Sequence, residues 1–142
     1  MKSVLFLCTG NYYRSRCAEI LFNHAATVQG LPWRADSRGL RLHPENSGPI
    51  SRHVVKFLEE QGIHLAEPIR FPRKVSESDL EAADLVVAVK ETEHRPLLQI
   101  EFAGWCETVE YWAIHDLEVW SPSEALPALA SRVAELLRSL MV

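Results

Sequence analysis

The sequence predicts an α/β fold: a four-stranded, parallel, twisted sheet with helices on both faces. Three observations lead there. Short apolar runs alternate with longer stretches of helical spacing, and strands alternating with helices imply a parallel sheet covered on both sides. The first run, Val4–Leu7, is too short for a typical helix and rich in branched and aromatic side chains, which suits a buried strand. The chain has 142 residues, 47% apolar and 24% charged, the size and composition of a single domain spanning 1–142 around one well-covered core.

Taken in order, the strands are expected at Ser3–Cys8, Trp33–Ser37, Leu85–Val89 and Thr108–Tyr111. The helices are expected at Ser15–Val28, Ile50–Gln61, Ser76–Ala82, Glu91–Phe102 and Ser123–Leu140. In the first helix Cys17, Ala18, Ile20, Leu21, Ala25 and Val28 recur at roughly helical spacing, interrupted by Glu19, Asn23 and His24. Ser76 with Asp79 fits a capping arrangement, and Pro96 must lie in or distort an early helical turn. Ser121-Pro122-Ser123 is a start signal for the last helix.

Between the first strand and the first helix the text reads Cys8-Thr9-Gly10-Asn11-Tyr12-Tyr13-Arg14-Ser15. A loop that ends at a helix N-terminus offers unpaired N–H groups and the positive end of the helix dipole to an anion. Gly10 lets the backbone approach a ligand, and Asn11 tolerates left-handed dihedrals, so successive N–H groups can point inward as a nest. Arg14 adds a planar fork that matches two phosphate oxygens. Cys8, at the base of this positive cup, is placed to act as thiolate, the reactive form. The competing reading of Cys8 is a small buried hydrophobe. The preceding strand, Gly10, Asn11 and Ser15 together weigh against it. In an open parallel sheet the site lies beyond the carboxyl ends of the strands, where this phosphate loop sits.

At these residues the chain resembles the low-molecular-weight protein tyrosine phosphatase family, whose loop reads Cys-x-Gly-Asn-x-Cys-Arg-Ser-Pro near the N-terminus. Ala18-Glu19, the strand Ala35-Asp36-Ser37, the stretch Pro49–Gly62 and the stretch Ser76–Ala88 continue the resemblance. It implies a phosphomonoester hydrolase working through a phosphocysteine on Cys8. Arg14 binds phosphate, and Asp116, in Ile114-His115-Asp116-Leu117, is the general acid and base. Thr9, Gly10, Asn11, Tyr12, Tyr13 and Ser15 surround the substrate. The resemblance further implies that Ser15 donates to the Cys8 sulfur and that Ser37 braces Asn11. Taken by spacing alone, Asp116 reads as an ordinary loop aspartate and Ser15 as a helix cap.

The departures bear on substrate. Tyr13 stands where the family carries a second loop cysteine, so the nucleophile has no adjacent resolving sulfur. Tyr12 replaces isoleucine of phosphotyrosine-preferring members and threonine of a phosphoarginine-specific branch. Leu117 replaces the proline after the acid, and the aromatic residues that usually follow are missing. An aromatic groove must then be built otherwise, from Tyr12 and Trp120, or it is missing. Leu40–Pro44 shows no counterpart of the large residue the family places after its second strand. Arg16 replaces the proline that opens the first helix, and as a cation near the cup it is expected to favour a dianionic ligand or an acidic substrate. Lys90 stands where the family tends to have an acid.

Composition narrows the rest. The net charge of −4 argues against general nucleic-acid binding, and no apolar run reaches membrane-spanning length. Met1-Lys2-Ser3 leads straight into a strand rather than a signal peptide, and three scattered cysteines suit a reducing, cytoplasmic setting. Cys17 and Cys106 read as packing residues, and no Cys/His cluster has zinc spacing. His24, His43, His53, His64, His94 and His115 suggest neither a triad nor a metal site. The expected chain is thus a monomeric, cofactor-free enzyme that binds phosphate or sulfate in its loop and acts on phosphorylated protein or small aryl phosphates. Three alternatives stay open: a phosphoarginine phosphatase, an arsenate reductase (for which only Cys106 lies in the region of the relay cysteines), and a non-catalytic phosphate-binding module.

Overall fold

The computed structural model describes residues 1–141. In chain order it runs β1 Lys2–Cys8, α1 Arg14–Gln29, β2 Trp33–Gly39, α2 Arg52–Glu60, α3 Glu77–Ala82, β3 Leu85–Ala88, α4 Glu91–Glu101, a 3-10 turn Ala103–Trp105, β4 Glu110–Tyr111 and α5 Pro122–Leu140. The strands form one parallel sheet in the order β2-β1-β3-β4. The chain steps outward from β1 to β2 and then crosses back to β3. The direction of winding therefore reverses beside β1, the position at which such sheets open a crevice at the strand ends.

Alternation along β1 explains the two layers. Val4, Phe6 and Cys8 join a core with Phe22 and Ala26 of α1, Val54 and Leu58 of α2, and Leu129 and Val133 of α5. Leu5 and Leu7 join a second core with Leu80 of α3 and Leu98 of α4. Period-two geometry sends successive side chains to opposite faces. Phe6 packs at 6.1 Å from Phe22 and 5.6 Å from Trp112, centroid to centroid. Each such buried side chain contributes about 1.5–3 kcal/mol.

Boundaries follow local chemistry. α1 begins at Arg14 with no side-chain cap, so Ser15 lies inside the first turn and is not the cap. Ser51 accepts from the His53 N–H at 3.2 Å and starts α2 two positions later than the expected Ile50. The Ser76–Asp79 capping box opens α3, and Ser121 with Glu124 opens α5 behind Pro122. Pro96 lies inside α4. β4 is only Glu110–Tyr111, because Thr108 and Val109 still donate to Trp105 in the preceding turn. Among the described residues no helix is long and apolar enough to cross a membrane.

Candidate active site

The loop after β1 is held open by its own carbonyls. Those of Cys8, Thr9 and Tyr12 accept from the N–H groups of Leu40 (2.9 Å), Arg41 (2.9 Å) and Ser51 (3.0 Å). In a trans peptide the N–H points opposite to its carbonyl, so the amides of Thr9, Gly10 and Tyr13 are turned away from those donors. Asn11 carries the left-handed turn at φ 52°. At Gly10 a Cβ would lie 3.0 Å from the His43 ring, a tight approach that a small shift of that half-exposed side chain would have to relieve. Gly39 is tighter, since its Cβ would meet Thr9 O at 2.8 Å and Leu42 at 2.7 Å. No larger residue fits where β2 ends against the loop.

A buried web orders the thiol. The Asn11 side chain, fully buried, donates to Ser15 Oγ and Ser37 Oγ, both at 2.9 Å. Its oxygen accepts from Arg70 Nη1 and the Arg73 N–H, both at 3.0 Å. Ser15 Oγ thus already accepts one bond, and its single proton is free to point at Cys8 Sγ, 2.9 Å away. Ser37 in turn donates to Glu19 at 2.6 Å. Burial pushes the Glu19 carboxyl up, against the hydrogen bond from Ser37 and the charges of Arg70 and Arg16. Ser37 braces Asn11 as expected, but Arg70, which touches Asn11, Glu19, Asp36 and Ser37, was not foreseen.

Arg14 is only 2% exposed, and its fork is already engaged. Nη1 and Nη2 donate to the Glu93 carboxylate at 3.1 and 2.7 Å, and Nη1 also donates to Ile114 O at 2.9 Å. Glu93 also accepts from the Thr9 hydroxyl and lies 3.2 Å from His94 Nε2. His94 Nδ1 accepts from the Lys90 N–H at 3.1 Å, so the buried imidazole carries its proton on Nε2, facing Glu93 and Thr9. Burial alone would raise the Glu93 carboxyl. The bonds from His94, Arg14 and Thr9 and the Arg14 charge overcome this and hold it well below the usual carboxylate range. Glu93 stands in the first turn of α4, 79 residues from Arg14, and no local pattern names it as the partner of that arginine.

The pocket of about 150 Å3 brings together Cys8, Gly10, Tyr12, Tyr13, Arg14 and Asp116. Thr9 faces a neighbouring groove with its side chain, while Asn11 and Ser15 lie buried in the web described above. Asp116 Oδ2 is 3.5 Å from Arg14 Nη2, and its Oδ1 accepts from the Leu117 N–H at 2.9 Å. A proline at 117 would have no such N–H. The substitution therefore replaces ring rigidity with a hydrogen bond that orients the carboxylate.

Four expectations are corrected or completed. Trp120 is not a pocket wall; it packs edge-on against His115 at 4.4 Å and lines a separate groove. His115 sits there too, its Nδ1 buried without a partner among the described residues. Instead, His43 and Asn46 line the cup, so the segment after β2 does supply a large residue, while Tyr12 lines it as anticipated and bonds Ser47 O. Arg16 is not a cation at the mouth. It is 4% exposed and donates to Pro49 O (3.2 Å) and Arg70 O (2.8 Å). Arg16→Ala is therefore expected to lower stability by about 2–3 kcal/mol, read from denaturant unfolding, through the loss of charged hydrogen bonds to two buried-side carbonyls. Tyr13 is buried against the cup, and burial, then the charges of Asp116 and Cys17, push its phenol up to about 12.

Cys17 is buried and its thiol is pushed up to about 12 by that burial, so it offers no thiolate to resolve an oxidised Cys8. Cys106 belongs to the second core and supplies no relay partner to the cup. Among the described residues no group of three or more His, Cys, Asp and Glu could hold a metal.

A family model described as low molecular weight phosphotyrosine protein phosphatase matches residues 3–137. A protein-arginine-phosphatase of Bacillus subtilis (strain 168) is 32% identical over 109 residues, 75% of this chain and 67% of its own length. The low molecular weight protein-tyrosine-phosphatase YfkJ of the same organism is 37% identical over 92 residues, 63% of this chain and 56% of its own. These alignments span about two thirds or less of the curated relatives. The crystal structure of YfkJ superposes with a TM-score of 0.86 at 25% identity, covering 99% of this chain and 95% of that one. The low molecular weight protein tyrosine phosphatase of T. tengcongensis superposes at 0.81 and 25%, covering 98% and 99%.

Proposed function

Because the chain belongs to the low molecular weight phosphotyrosine protein phosphatase family, we propose that it hydrolyses phosphomonoesters of protein or small aryl phosphates through a phosphocysteine on Cys8. The observation that carries this is the ordered thiol: Cys8 Sγ lies 2.9 Å from a serine hydroxyl whose proton Asn11 directs to it, in the pocket that Arg14 and Asp116 also line.

The thiolate attacks phosphorus in line, forming the S–P bond as the P–O bond to the leaving group breaks. Loop amides and the Arg14 charge stabilise the equatorial oxygens, where transition-state charge gathers. Asp116 protonates the departing oxygen. In the second step Asp116 takes a proton from water, which attacks phosphorus and expels inorganic phosphate and the Cys8 thiolate. The Ser15 hydroxyl stabilises that thiolate as it leaves. A reducing compartment suits a nucleophile with no resolving neighbour.

Glu93 acts here as a positioning residue. With Nη1 and Nη2 held on their outer edge, the guanidinium has one orientation, and no rotamer search precedes phosphate binding. Glu93→Gln is expected to lower kcat/KM by about 10²-fold, with Glu93→Asp recovering part of it. The same pair has a pH signature. A carboxyl depressed in the folded state stabilises the fold above its unfolded value, about 4.3, and that contribution shrinks as pH falls towards the folded value. The gap in melting temperature between wild type and Glu93→Gln should therefore narrow from pH 7 to pH 3.

A second reading, phosphoarginine hydrolysis, draws support from the similarity to the arginine phosphatase. A panel of phosphotyrosine, phosphoserine and phosphoarginine peptides beside a small aryl phosphate decides between them. Absence of turnover on every member would remove the enzymatic reading and leave a phosphate-binding module.

A further inference from the structure

His43 and Asp116 line not only the cup but also a second groove of about 430 Å3, which reaches Arg41, Lys90 and Glu118. The two cations have fixed roots. Arg41 lies two residues after the end of β2, its N–H donating to Thr9 O at 2.9 Å. Lys90 follows β3, and its N–H is held by His94 Nδ1. Since β2 and β3 flank β1, the cations stand at strand ends on either side of the strand that feeds the cup.

Their charges are unspent. Among the described residues neither Arg41 nor Lys90 has a carboxylate within salt-bridge distance. Of the acids in the groove, Glu93 and Asp116 both lie against Arg14, at 2.7 and 3.5 Å. Glu118 is exposed and, among the described residues, has no cation within salt-bridge distance. Two free cations thus face one free acid, in a chain whose net charge is −4. The hydrolytic chemistry uses neither cation.

We propose that Arg41 and Lys90 form an anion subsite beside the cup, which receives the carboxylate of an acidic side chain flanking the phosphorylated residue. The preferred substrates are then acidic phosphopeptides. The inference rests on the reading of the cup as a phosphatase site. A phosphate bound in the cup tethers the peptide, so the second contact forms at an effective concentration in the millimolar range, where weak exposed ion pairs count.

The test uses peptides carrying the phosphorylated residue that the panel turns over, with Glu or Gln at each neighbouring position on either side. The readout is the ratio of kcat/KM for Glu over Gln peptides within each protein. At low ionic strength the wild-type ratio should reach about fivefold at one or more positions, and it should fall towards one as salt screens the contact. The Arg41→Gln, Lys90→Gln double variant should bring the ratio to about one, and Glu118→Gln should raise it. A wild-type ratio of one at every position, or a preference that survives in the double variant, overturns the subsite while the phosphatase reading stands. No turnover of any peptide or of the aryl phosphate overturns both.

Discussion

Cys8→Ser is expected to abolish turnover of a small aryl phosphate, by on the order of 10⁵-fold or more, while the protein still folds and still binds phosphate. The serine oxygen occupies almost the same space, and it keeps a hydroxyl partner in Ser15, so the fold has no cause to loosen. A serine hydroxyl is scarcely ionised at neutral pH, and Asp116, which lines the same pocket, must carry a proton to the leaving group in this step and so is not free to act as its base. The amides and Arg14 remain, so inorganic phosphate should still bind. Calorimetric titration with phosphate, beside a turnover assay, checks both halves. Residual turnover near the wild-type rate would show that the nucleophile lies elsewhere.

Asp116→Ala carries the second large effect, a slowing of about 10²- to 10⁴-fold that depends on the leaving group. A poor leaving group, such as an alkyl or unsubstituted phenyl ester, needs a proton as the P–O bond breaks. A strongly activated nitrophenyl ester does not, and should lose far less in its phosphorylation step. The slope of log kcat/KM against leaving-group acidity should therefore steepen in the variant. A slope unchanged from wild type would assign the acid to another group. The geometry suits the role: one carboxylate oxygen is pinned by the Leu117 N–H, while the other stays at the pocket, 3.5 Å from Arg14.

Legibility differed from residue to residue. The alternation in β1, the helical period after it and the caps at Ser76 and Ser121 depend on neighbours within a few positions, and the elements formed close to where they were expected. The family came through just as clearly, because Cys8, Gly10, Asn11, Arg14 and Ser15 crowd into one loop. Glu93 stands 79 residues from Arg14, and Arg70 stands 59 from Asn11. Neither sits in a pattern that names its partner. The expectations for Arg16 and Trp120 failed for the same reason. Their side chains are long, and nearby sequence does not decide whether they turn to the cup or away from it.

The chain by itself determined a parallel α/β sheet, the loop at the end of its first strand and the reaction class that such a loop implies. Local dihedral preference, periodicity and the short reach of a strand–loop–helix turn are enough for that. Only the tertiary structure decided what surrounds the loop. Burying Arg14 requires a carboxylate from α4, burying Asn11 requires Arg70, and packing β2 against the loop brings His43 over Gly10. Buried charges and polar groups must find partners wherever the fold can supply them, and those partners come from segments distant in sequence.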